Sequence, residues 1–153
     1  MKKYDTKKYK APTYYFEFIL EFKNDYDVKS LENILKLKPY SVITLSESKQ
    51  KLSKGTHYDE SGNPHSAVEL ASAKFTYRTE YFNEINISKP FDEFLNNVKD
   101  NLIKIQSILN ENQGSISFCT VFTSLDEKPY LYLSKDAIQI LSSLNADLDT
   151  DYV

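Results

Sequence analysis

Both histidines of the chain fall within His57-Tyr58-Asp59-Glu60-Ser61-Gly62-Asn63-Pro64-His65, beside two carboxylates. Imidazole nitrogen together with carboxylate oxygen suits Zn²⁺ or another divalent ion. His57, Asp59 and His65 are therefore the candidate metal ligands, and a metal-dependent hydrolase is the activity they would serve. Against this, a metal site needs ligands braced by neighbouring groups, and a polar stretch broken by Gly62 and Pro64 supplies little bracing. A second row of carboxylates stands at the end of the chain, where Asp147, Asp149 and Asp151 alternate with Leu148, Thr150 and Tyr152. On a strand these acids share one face, ~6.8 Å apart in succession. Two of them could bind a hard cation or one could act as a general base, so a metal-dependent hydrolase could use these aspartates instead of the histidines. The plainer expectation is that they wet the face of an edge strand and discourage edge-to-edge pairing.

Other reactive groups are few. Cys119 is the single cysteine and sits in a strand-like run. A catalytic thiolate needs a base and an electropositive setting, and no spacing fixes a histidine near it, so packing filler is expected. With three glycines in the chain there is no phosphate-cradling loop, and no serine occupies a nucleophile elbow. No catalytic residue and no cofactor is assigned.

The totals narrow the partners. A chain of 153 residues with 41% apolar content fits one domain. The net charge is −3, and of nineteen basic residues only Arg78 is an arginine. That balance gives no pull toward nucleic acid. A lone cysteine suits a reducing cytoplasm. The apolar run Tyr14–Phe22 carries Glu17 and Glu21, unlike an export signal, and no stretch approaches the ~20 apolar residues that cross a bilayer. A cytoplasmic protein with no membrane and no nucleic-acid partner is expected.

The elements that must position these groups follow from periodicity. Residues 1–12 read as a basic flexible tail, with Tyr4 and Tyr9 among five lysines. Residues 13–153 read as a single α+β domain. Phe16, Phe18, Leu20 and Phe22 alternate with Tyr15, Glu17, Ile19 and Glu21, a strand with one apolar face. Asp27 offers a cap to a short helix that ends before Pro39. Residues 46–66 read as a long polar loop, followed by a strand over 68–82. Pro90 opens a helix running to about Asn110, with a stripe from Phe91 to Leu109. A strand over 116–122, a helix capped by Ser134 and a closing strand over 146–152 complete the order. The predicted architecture is a mixed, mostly antiparallel sheet of four to six strands covered on one face by three helices: a split βαβ arrangement with one added helix and strand.

The run Leu35-Lys36-Leu37-Lys38-Pro39, Lys54-Gly55, and the end from Leu133-Ser134 through Leu148-Asp149-Thr150-Asp151-Tyr152 resemble a bacterial family known as domain of unknown function 4279. The resemblance spans most of residues 14–153. It implies a single α+β domain, makes Pro39, Gly55, Asp149, Asp151 and Tyr152 signature positions, and imports no activity. Many members carry Trp where this chain has Phe75 or Tyr77.

Chemistry that is sparse, beside tyrosines that exceed what one core needs, points to contact. Tyr58, Tyr77, Tyr81, Tyr130 and Tyr132 are the candidate partner-binding residues, since tyrosine is an interface anchor. The expectation is a non-catalytic protein-binding module, monomer or homodimer, with an immunity-type protein as its narrower form by analogy. A small-ligand pocket lined by Phe75, Tyr77 and Phe91 is the remaining alternative.

Overall fold

The computed structural model describes residues 11–54, 57–65, 67–124 and 131–153. Residues 1–10 of the expected tail, Gly55 and residues 125–130 lie outside the described residues. Strand β1 (Thr13–Phe22) is the centre of a five-stranded sheet. A single 3₁₀ turn (Val28–Ser30) leads into α1 (Leu31–Leu35), then β2 (Ser41–Ile43) and α2 (Leu45–Leu52). A two-stranded hairpin, β3 (His57–Tyr58) and β4 (Pro64–His65), precedes β5 (Ala73–Arg78). Helices α3 (Ser88–Lys99) and α4 (Leu102–Asn112) lead to β6 (Ser115–Ser124), and α5 (Lys135–Ser143) to β7 (Asp147–Tyr152).

The sheet order is β2-β5-β1-β6-β7. β1 runs antiparallel to both β5 and β6, and β2 antiparallel to β5. It follows that β1 and β2 are parallel with β5 between them, and β5 and β6 are parallel with β1 between them. Two split βαβ units thus interleave, the ferredoxin-like arrangement. β7 adds to β6 in parallel, with α5 as its crossover. The expected α+β class, mixed sheet and added helix–strand pair are all present.

Alternation in β1 decides what is inside. Tyr14, Phe16, Phe18, Leu20 and Phe22 are fully buried, and they meet Phe75 of β5 and Phe118 of β6. Helices α1, α3, α4 and α5 bury Leu31, Phe91, Phe94, Leu95, Val98, Ile105, Ile140 and Leu141 in that same core. Phe94 is its hub. It stacks on Phe16 at 5.6 Å and on Tyr77 at 6.3 Å, and meets Phe118 edge-on at 5.9 Å. Such pairs add ~0.5–1.5 kcal/mol each beyond the area they bury.

The helices differ from expectation in three places. There are five α-helices among the described residues, not three. The polar stretch 46–66 is not one loop but α2 followed by the β3–β4 hairpin. Thr44 and Glu47 form a reciprocal capping box that starts α2, and Asp59 closes the hairpin by accepting from the Ser61 and Asn63 amides. The helix expected from Pro90 to Asn110 breaks at Asp100–Asn101, where the Asn101 side-chain Nδ2 donates to the Leu35 carbonyl at the end of α1. Because the apolar stripe continues through the break, periodicity does not reveal it. The Asp27 side chain does not cap. Ser30 instead donates its hydroxyl to the Asp27 carbonyl. The strand expected over 68–82 is confined to β5, with an isolated bridge between Phe82 and Tyr14.

Candidate functional site

All the apolar helix faces join the core on one side of the sheet, so the outer side is built by the alternate residues of each strand. Register aligns them into rows, and one row reads Arg78, Glu17, Cys119, Asp149 across β5, β1, β6 and β7. The sole arginine is the centre of this face. Its Nε and one terminal nitrogen both reach Glu17 Oε2 at 3.1 Å. Its guanidinium carbon Cζ lies over both rings, 3.5 Å from the Tyr40 ring centroid and 4.2 Å from that of Tyr15. Burial alone would lower the Arg78 pKa, but the Glu17 hydrogen bond and charge outweigh it and hold the group more firmly cationic.

The backbone sets these partners in place. Tyr40 donates its amide to the Thr76 carbonyl just before β2 begins. Thr79 exchanges bonds with Phe16, and Phe82 with Tyr14. Two residues, Glu80 and Tyr81, therefore stand opposite the single residue Tyr15, the geometry of a β-bulge, which re-aims side chains. The Tyr81 ring meets Tyr15 edge-on at 5.3 Å. Tyr40 and Tyr81 are each 63% exposed, whereas the Arg78 and Glu17 side chains are only 22% and 13% exposed. Arg78 has two of its nitrogens committed to Glu17 Oε2 and its Cζ over both rings. It locks two tyrosines in position.

Toward β7 the same face turns acidic. Cys119 sits beside Asp149, and its thiol pKa is pushed up to about 11 by burial and by the negative charges of Glu17, Asp151 and Asp149. Near neutral pH it stays protonated, the reverse of what a nucleophile needs.

Among the described residues, no three His, Cys, Asp or Glu side chains gather as a metal would need. The backbones of His57 and His65 pair directly across the hairpin, their side chains lie outside what is described, and Asp59 serves its turn. Asp147, Asp149 and Asp151 are all exposed on the outer face. Tyr58 and Tyr132 are exposed at separate places, and Tyr132 donates its amide to Ser88 Oγ. Tyr77 turns inward onto Phe18 and Phe94, so it packs the core, and Phe75 and Phe91 are fully buried with it. Tyr130 lies outside the described residues. Sequence reading missed Tyr15, Glu17, Tyr40 and Arg78 as a group. The uniqueness of Arg78 and the polar alternation of β1 were the available signals.

Residues 12–153, nearly the whole chain, match the family described as Domain of unknown function (DUF4279). The chain belongs to this family. No curated protein and no solved structure matches it. The DUF4279 span starts just before β1 and includes every element of the sheet, so the outer face lies wholly within the family domain. Of the positions expected to carry a family signature, Pro39 lies between α1 and β2, Asp149 and Asp151 face outward on β7, and Tyr152 stacks on Phe122 at 5.6 Å. Gly55 lies outside the described residues. Among the described residues, no helix is long and apolar enough to cross a membrane.

Proposed function

We propose that this DUF4279 protein is a non-catalytic protein-binding module of the cytoplasm, and that the outer sheet face is its contact surface. The observation that carries this reading is the Tyr40–Arg78–Tyr15 stack with Tyr81 beside it. Tyrosine and arginine dominate binding energy at protein interfaces. A platform already held by Glu17 and a bulge loses little side-chain freedom on binding, which favours affinity. The raised pKa of Cys119 supports a contact role for the same face over a thiol-based reaction.

The test is affinity capture from the native cell with the wild-type chain and with Tyr40→Ala/Tyr81→Ala, both verified as folded. A partner retained by the wild type and lost by the double variant supports the reading. Equal recovery by both counts against it. The immunity-type form narrows the partner to one toxin-like protein, and neutralisation of that protein in a growth assay would distinguish it.

A further inference from the structure

We propose a second contact element, independent of the tyrosine face: β7 accepts an added strand from a partner segment in which lysine or arginine alternates with apolar residues. Among the described residues β7 has β6 as its only neighbour, and the pairing runs from Ser117–Asp147 to Phe122–Tyr152 without a bulge or proline. By comparison, the opposite edge, β2, is three residues long.

The Val153 amide donates to the Phe122 carbonyl. Strand alternation then aims the backbone groups of Asp151, Asp149 and Asp147 at β6 and those of Leu148, Thr150 and Tyr152 at the open edge. The Tyr152 amide is already taken by Asp151 Oδ1 at 2.8 Å. Leu148 and Thr150 are left to receive the added strand.

Side chains choose the occupant. Asp147, Asp149 and Asp151 line the outer side, with Glu17 further in on the Cys119–Asp149 row. A second copy of β7 pairing antiparallel would set aspartates against aspartates, and like charges directly opposite destabilise a strand pair. Lysine or arginine at alternate positions reverses that sign. On the inner side, Leu148 and Tyr152 remain 37% and 52% exposed, and apolar residues at the intervening positions would cover them. Main-chain bonds would give affinity and the alternating side chains specificity.

A fluorescent peptide alternating lysine with valine over ten residues, titrated with the full chain at low and moderate salt, tests this. Three probes frame it: the same peptide with glutamate for lysine, a proline-interrupted lysine peptide of equal charge, and the variant Thr150→Pro. Proline is tolerated on an edge strand where its nitrogen faces outward, so Thr150→Pro keeps the sheet and removes the donor. Expected are binding of the lysine peptide only, weakening of at least ~10-fold in Thr150→Pro, and new exchange protection of the Leu148 and Thr150 amides. Should Thr150→Pro unfold, Asp147→Asn/Asp149→Asn/Asp151→Asn gives the same reading through lost affinity and a flatter salt dependence. Equal binding of the proline-interrupted peptide, or no protection at Leu148 and Thr150, would overturn the proposal. Tyr40→Ala leaves this binding unaltered, so its outcome is separable from that of the tyrosine face.

Discussion

Replacing Arg78 by Ala tests whether this residue organises the outer face or merely decorates it. The substitution removes a hydrogen bond and an ion-pair contact to Glu17, each 3.1 Å, and both ring contacts. It leaves Glu17, 13% exposed, without its cationic partner. A hydrogen bond to a charged group contributes ~1.5–3 kcal/mol, and each partly exposed cation–π contact ~0.5–1 kcal/mol. These contributions overlap and solvent screens some of each, so the net loss is set at ~2–4 kcal/mol. For a domain of this size that corresponds to a drop of roughly 5–15 °C in Tm. Urea unfolding followed by far-UV circular dichroism measures it. Two companions sharpen the reading. Arg78→Lys should lose nearly as much, because a single ammonium cannot present two nitrogens to Glu17 while holding a delocalised cation over both rings. Arg78→Ala/Glu17→Gln should recover about 1 kcal/mol relative to Arg78→Ala, since much of the loss is a carboxylate left poorly solvated. A loss below ~0.5 kcal/mol in Arg78→Ala, typical of ordinary surface positions, would refute the reasoning and reduce the pair to a solvated surface bridge.

Tyr14→Phe should be neutral or stabilising by up to about 1 kcal/mol in the same unfolding assay, because the buried Tyr14 hydroxyl has no hydrogen-bond partner among the described residues; a loss above 1 kcal/mol would contradict this. Gly114→Ala should destabilise by ~1–3 kcal/mol through overpacking. A Cβ there would stand 2.5 Å from Phe22 Cε1 and 2.8 Å from Leu109 Cδ2, and Phe22 is pinned by Tyr26 at 4.5 Å. Cys119 should react slowly with thiol reagents at pH 8 and faster as pH nears 11. The unfolded thiol releases its proton from about its ordinary 9.0 and the folded one only near about 11, so its contribution to stability is intact below pH 9 and lost as pH rises through 11. Cys119→Ala should make that alkaline decline of Tm shallower.

Where one short stretch of chain dictates an element, its sequence already shows it. The alternation of β1, the Ser134 cap that accepts from the Ala137 amide, and the closing strand all formed as read. Helix α2 was overlooked because it buries no residue fully, although Thr44-x-x-Glu47 is a recognisable capping box. The inward turn of Tyr77 was also readable, since Ala73, Phe75 and Tyr77 alternate with Lys74, Thr76 and Arg78. Two features were not. The break at Asn101 depends on a carbonyl 66 positions away. The outer-face cluster joins residues 15, 17, 40 and 78 from three separate segments, and only the order β2-β5-β1 brings them together.

The claim that the outer sheet face is where this protein meets its partner is tested most directly by site-specific photo-crosslinking in the native cell. A photoreactive phenylalanine analogue would replace Tyr40, Tyr81 or, as a control, Ile103, which is 80% exposed on α4. The account predicts one discrete crosslinked protein shared by positions 40 and 81 and absent at 103. Crosslinking at 103 with none at 40 or 81 would contradict it.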